Sequence, residues 1–143
     1  MSTTTERIVF GVSCKIQRNM DGWQCLLPMP LKLGTFEPIL KSFLLGGEAL
    51  IPGKDMIDRA MRLGVATGLR DAEAMLRGQE IIPKACRRFV PLFPEVWLNP
   101  AGIECVFCLY WRVSMWELNY DELRNGFNSD YRLISARSRL VPA

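Results

Sequence analysis

The stretch Asp55–Gly78, D-M-I-D-R-A-M-R-L-G-V-A-T-G-L-R-D-A-E-A-M-L-R-G, constrains the fold more than any other part of the chain. Ile57, Ala60, Met61, Gly64, Val65, Gly68, Leu69, Ala72, Met75 and Leu76 recur at three- and four-residue steps, which places them on one face of an α-helix. Asp55 suits an N-cap, Asp58 the second half of a capping box, and Gly78 the residue just past the helix end. Within that face Ala60, Gly64, Gly68 and Ala72 follow one another at four-residue intervals. Each interior glycine costs about 1 kcal/mol of helix propensity relative to alanine, so the spacing predicts close approach of another backbone. That backbone belongs to a sheet or helix of the same chain or, in a second reading, to the same seam on another copy in a homodimer. No membrane span is expected, because Asp58, Arg59, Arg62, Arg70, Asp71, Glu73 and Arg77 interrupt any apolar run.

The opposite face carries Arg59, Arg62, Arg70 and Arg77. Such a row suits phosphates or an acidic partner, and equally a solvated face with local ion pairs. An alternative reading divides the helix at Ala66-Thr67-Gly68 and loosely resembles a helix-turn-helix, with a recognition helix from Leu69 offering Arg70 and Arg77 to DNA. The short turn and the scarcity of base-reading side chains argue against it.

Function classes are narrowed most by what is absent. The 143 residues contain no histidine, which removes the commonest general base, Ser-His and Cys-His nucleophile pairs, and imidazole metal ligands. The five cysteines follow no basic, apolar leader, so reduced thiols in a cytoplasmic protein are expected. Cys105 and Cys108 have C-x-x-C spacing but sit in an apolar run without a second ligand pair, so neither metal nor cofactor is expected. G-G-E-A-L-I-P-G-K, ending at Lys54, lacks Walker-loop spacing. Cys86 beside Arg87-Arg88 has no base to activate it, and Glu95, Glu104 and Glu117 form no evident pair. The chain therefore reads as a non-enzyme.

At 49% hydrophobic the chain can bury the core of a single domain, 1–143, with a frayed start at 1–6 and a flexible basic tail from about 137. Alternation predicts a strand over Ile8–Gln17, returning as a hairpin over Trp23–Leu27 through Asn19-Met20-Asp21-Gly22. Phe36–Leu45 reads as a short helix. Arg87–Leu98 reads as a proline-restricted strand, Asn99-Pro100-Ala101-Gly102 as a type I turn, and Ile103 to about Leu118 as one long strand. A helical turn is expected over Asp121–Phe127, and Tyr131, Leu133 and Ile134 suit a last short strand. The resulting class is α+β: an antiparallel sheet of about four strands in ββ-αα-ββ order, with both helices on one sheet face.

A net charge of +3 is too mild to imply nucleic acid by itself. The expected function is docking on another macromolecule, in the manner of small accessory or inhibitor proteins of phages and mobile elements. Trp97, Tyr110, Arg112 and Trp116 are the candidate partner-binding residues, because aromatic and arginine side chains on an open sheet face favour binding. The alternative is a nucleic-acid binder using the arginine row and the basic end, Arg132, Arg137 and Arg139.

Overall fold

The computed structural model describes residues 10–11, 16–29 and 35–139. The class is α+β, with two helices and a mostly antiparallel sheet. The main sheet uses β1 (Phe10–Gly11), β2 (Gln24–Cys25), β3 (Thr35–Lys41), β5 (Val90–Leu98), β6 (Glu104–Arg112), β7 (Met115–Glu122) and β9 (Tyr131–Arg139). Their order is β1-β3-β9-β5-β6-β7, with β2 pairing the far half of β5. β5 and β9 run parallel and every other pair is antiparallel. A small second sheet joins β4 (Leu50–Pro52) to β8 (Gly126–Asn128).

The expected single helix is two, α1 (Gly53–Arg62) and α2 (Leu69–Arg77). The stop is local. Gly64 takes φ +72°, its N–H donates to Met61 O, and the Val65 N–H donates to Ala60 O. These two bonds make a Schellman motif, with Val65 buried as its apolar closure. Val65, Thr67, Gly68 and Leu69 are buried as the chain crosses the sheet, and Thr67 Oγ1 donates to Ile134 O at 2.6 Å. The predicted division near Thr67 therefore exists, but it does not give a helix-turn-helix.

The two helices serve opposite faces of the sheet. Met56 and Ala60 of α1 pack with Ile51, Leu92, Val106, Cys108, Phe127 and Leu133. Ala72 and Met75 of α2 pack with Phe36, Phe93, Leu109, Trp116 and Ile134. Alternation along β6 sends Val106 and Cys108 to the first core and Leu109 to the second, so the strand is apolar on both sides because both sides are covered. This overturns the expectation of both helices on one face. It also separates the small-residue seam. Ala60 and Ala72 lie in different cores, and Gly64 is exposed, so that a Cβ added there would meet no atom within 4 Å.

Three other expectations change. The 8–27 hairpin is not found among the described residues, where β1 pairs with β3 and β2 with β5; residues 8–9 and 12–15 of it lie outside them. Phe36–Leu45 is largely strand, with Pro38 in β3 paired to Ala136 of β9; among the described residues no strand pairs Pro38 on its other side. The long strand from Ile103 folds back at Val113-Ser114, giving β6 and β7. The Asn99–Gly102 turn closes as expected, with the Gly102 N–H on Asn99 O at 2.8 Å. β9 takes in residues 137–139, which the sequence pattern places in the tail, while residues 1–6 and 140–143 lie outside the described residues. The strand count also exceeds four: 36–41, which suits a helix by pattern, is strand, and the helical turn expected over Asp121–Phe127 is replaced by the end of β7, a turn and β8.

Candidate functional site

The candidate residues do not form one surface. Trp116 is 1% exposed, inside the α2-side core. Trp97 is half-buried at the opposite end of the sheet, where its Nε1–H donates to Glu95 Oε1 at 2.8 Å. Tyr110 belongs to the α1-side core margin, and Arg112 bridges to Glu117 at 3.2 Å with its guanidinium 5.6 Å from the Tyr110 ring. The arginine row is likewise split. Arg59 is held by Glu48, Arg62 by Asp58, and Arg70 and Arg77 lie exposed on the other helix.

What the fold assembles instead is an arginine–aromatic end. The 3₁₀ turn Lys84–Arg88 leads into β5, and β5 and β9 start side by side at the end where β6 finishes. Arg87 sits 3.7 Å over the Trp111 ring. Arg88 and Arg132 both approach Phe89, at 4.6 and 4.3 Å. Among the described residues, none of these three arginines has a carboxylate within 4.0 Å. Arg132 does donate to the Ser129 and Tyr131 carbonyls. Arg87, Arg88 and Lys84 are exposed. Sequence spacing supplied Arg112 as the only cation of this face, because the other three come from segments far away in sequence.

A polar cluster lies beside this end. Tyr110 and Tyr131 hydroxyls donate to Asp121 Oδ2 at 2.5 and 2.8 Å, and the Cys108 thiol reaches the same oxygen at 3.4 Å. Burial raises all three donors, with the Asp121 charge adding to it; Tyr131 is pushed up to about 12. All three stay protonated at neutral pH, so the cluster is a fixed hydrogen-bond network.

At the far end, Glu95 is only 7% exposed and sits at an irregularity in the β5–β6 register between Phe93 and Val96. Such a break re-aims a side chain. Glu95 Oε1 accepts from Leu69 N at 3.1 Å, the first turn of α2, and Oε2 accepts from Met29 N at 2.7 Å. Gly68, the α2 N-cap residue, has no side-chain oxygen, and Glu95 supplies one from a different strand. Cys25 lies alongside, its thiol pushed up to about 11 by burial and then by the Glu95 charge. Cys105 and Cys108 point to opposite sheet faces, and among the described residues no group of three His, Cys, Asp or Glu side chains is placed to hold a metal ion. No described helix is long and apolar enough to cross a membrane.

An apolar cavity of about 90 Å³ lies between α2 and the sheet, lined by Pro38, Met75, Pro83, Cys86, Pro91 and Ile134 among others. No protein-family model, curated protein or solved structure matches the chain.

Proposed function

We propose that the chain is a binding protein without catalytic function, that its docking surface is the arginine–aromatic end of the sheet, and that its partner is single-stranded nucleic acid. One observation carries the reading: Arg87, Arg88 and Arg132 lie against aromatic rings with no carboxylate among the described residues to neutralise them. A guanidinium laid on a ring can still turn N–H donors to a phosphate; Arg132 gives one nitrogen to the Ser129 and Tyr131 carbonyls, and its other donors remain for such a contact. The half-buried Phe89 and Trp111 offer ring surface for bases.

The test is anisotropy of a labelled oligothymidine across salt concentrations. Four phosphate contacts, from the three arginines and Lys84, predict a log–log slope of about −2.8. Arg88→Glu with Arg132→Glu should abolish binding at moderate salt, and Arg59→Glu with Arg62→Glu should leave it intact. No binding at low salt would remove this reading. A second reading, a protein partner, is favoured by one observation: Val113 is 100% exposed at the β6–β7 tip, with Met115 half-exposed beside it. Apolar side chains at a protruding tip suit insertion into a partner's pocket.

A further inference from the structure

Residues 16–23 lie on the α2-side face of the sheet, and none of the eight is buried. Beneath them lie groups that are: Phe107 at 1% exposure and Glu73 at 2%. The arm Ile16–Arg18 is held there in two ways. Glu73 Oε1, on α2, accepts two consecutive backbone N–H groups, from Gln17 and Arg18, each at 3.1 Å. The Arg18 guanidinium sits among three rings, 4.8 Å from Trp23, 5.3 Å from Phe107 and 5.6 Å from Tyr120. The rings brace one another, with Trp23 against Phe107 at 5.1 Å and against Tyr120 at 5.0 Å. The remaining contacts of the guanidinium are weak, to Asn19 O at 3.4 Å and Met20 Sδ at 3.9 Å.

We propose that this cage is a recognition site for an arginine residue of a partner peptide, and that Arg18 occupies it as an internal stand-in. The site reads both parts of such a residue. Glu73 takes the main-chain N–H pair, and the three rings take the flat cation. The body of the site does not depend on the arm: Glu73 is on α2, Phe107 and Tyr120 are on β6 and β7, and Trp23 precedes β2, which is paired to β5. Among the described residues Glu73 has no cation within 4.0 Å. The arm itself buries no side chain fully, which marks a segment that opens at low cost. This site is distinct from the arginine–aromatic end and prefers the opposite charge.

The test uses the dipeptide acetyl-Gln-Arg-amide, with acetyl-Gln-Lys-amide as control, read by tryptophan fluorescence. Arg18→Gln removes the tethered guanidinium, so that the peptide can fill the cage and displace the arm's two N–H groups from Glu73. The variant should bind the arginine peptide saturably, at least about tenfold more tightly than the wild type, whose tethered arginine competes at millimolar effective concentration. The lysine peptide, lacking the flat cation, should bind more weakly. Equal binding by wild type and variant, or equal response to lysine, would overturn the proposal. A measurement on the wild type guards against misfolding of the variant. The Gln17 and Arg18 amides should exchange with deuterium far faster than those of β5 and β6. Exchange of the arm only through global unfolding would make Arg18 a fixed wall and also overturn the proposal.

Discussion

The contact between Gly68 and Glu95 offers a sharp test of how α2 is attached. The Gly68 backbone is extended, at φ −141°, so any residue fits its conformation. Space is the constraint: a Cβ there would lie 2.5 Å from Glu95 Cδ and Oε1 and 2.7 Å from Oε2. Gly68→Ala must therefore push the carboxylate off Leu69 N and Trp97 Nε1. Each hydrogen bond to a charged acceptor is worth about 1.5–3 kcal/mol, so the loss should be about 3 kcal/mol. Glu95→Ala forfeits all three bonds and strands buried donors. Met29 N can turn to water, which leaves about 4 kcal/mol, a large share of a stability of order 10 kcal/mol. In the double variant the methyl added at position 68 has nothing to strike and fills part of the vacated space. The cost of Gly68→Ala should then fall below about 1 kcal/mol, a coupling of about 2 kcal/mol. Urea unfolding of the four proteins, followed by tryptophan fluorescence, measures it. Additive costs, within about 0.5 kcal/mol, would refute Glu95 as the cap of α2.

Three further outcomes follow from individual groups. Val113 holds φ +55° at full exposure, a strained conformation for a β-branched residue, so Val113→Asn should raise stability by about 1 kcal/mol and increase Tm in a thermal scan. Cys25 and Cys105 are pushed up to about 11 and Tyr131 to about 12. Because the folded state keeps protons that the unfolded state releases, this stability is complete below about pH 8.5, the unfolded thiol value, and should decline between there and pH 11; urea midpoints at pH 7, 9 and 10.5 would reveal it. Arg59 holds the Glu48 carboxyl down to about 2, which favours the fold above the ordinary carboxylate range, about pH 4.3. That advantage is lost as pH falls towards 2, so Glu48→Gln should match the wild type in acid and unfold more readily near pH 7.

Much of the architecture was written in local pattern. The proline turn at 99–102, the apolar strand after it and the helical content of 55–78 all follow from short-range rules. The helix break did not, although its signal was present: Leu63-Gly64-Val65 is a Schellman stop, and the four-residue recurrence of small side chains concealed it. Once the helix is read as continuous, both halves must lie on one sheet face. The alternation at Phe36–Lys41 was masked by Pro38, which local pattern reads as a helix-start residue and which the fold places in a strand paired to β9. Candidate contact residues fared worse because sites are assembled from distant segments. Arg88 and Arg132 share Phe89 although they stand far apart along the chain, and Arg18 finds Phe107 and Tyr120 across an even wider interval. A buried Glu95 was beyond reach, since neither its bulge nor its backbone partners leave a mark in the one-dimensional pattern.

Mapping amide and tryptophan side-chain NMR shifts while titrating oligothymidine bears most directly on the docking surface. The largest shifts should fall on Arg87, Arg88, Phe89, Trp111 and Arg132, with α1 unmoved. Shifts centred on Arg59 and Arg62, or none at millimolar oligonucleotide in low salt, would contradict the assignment.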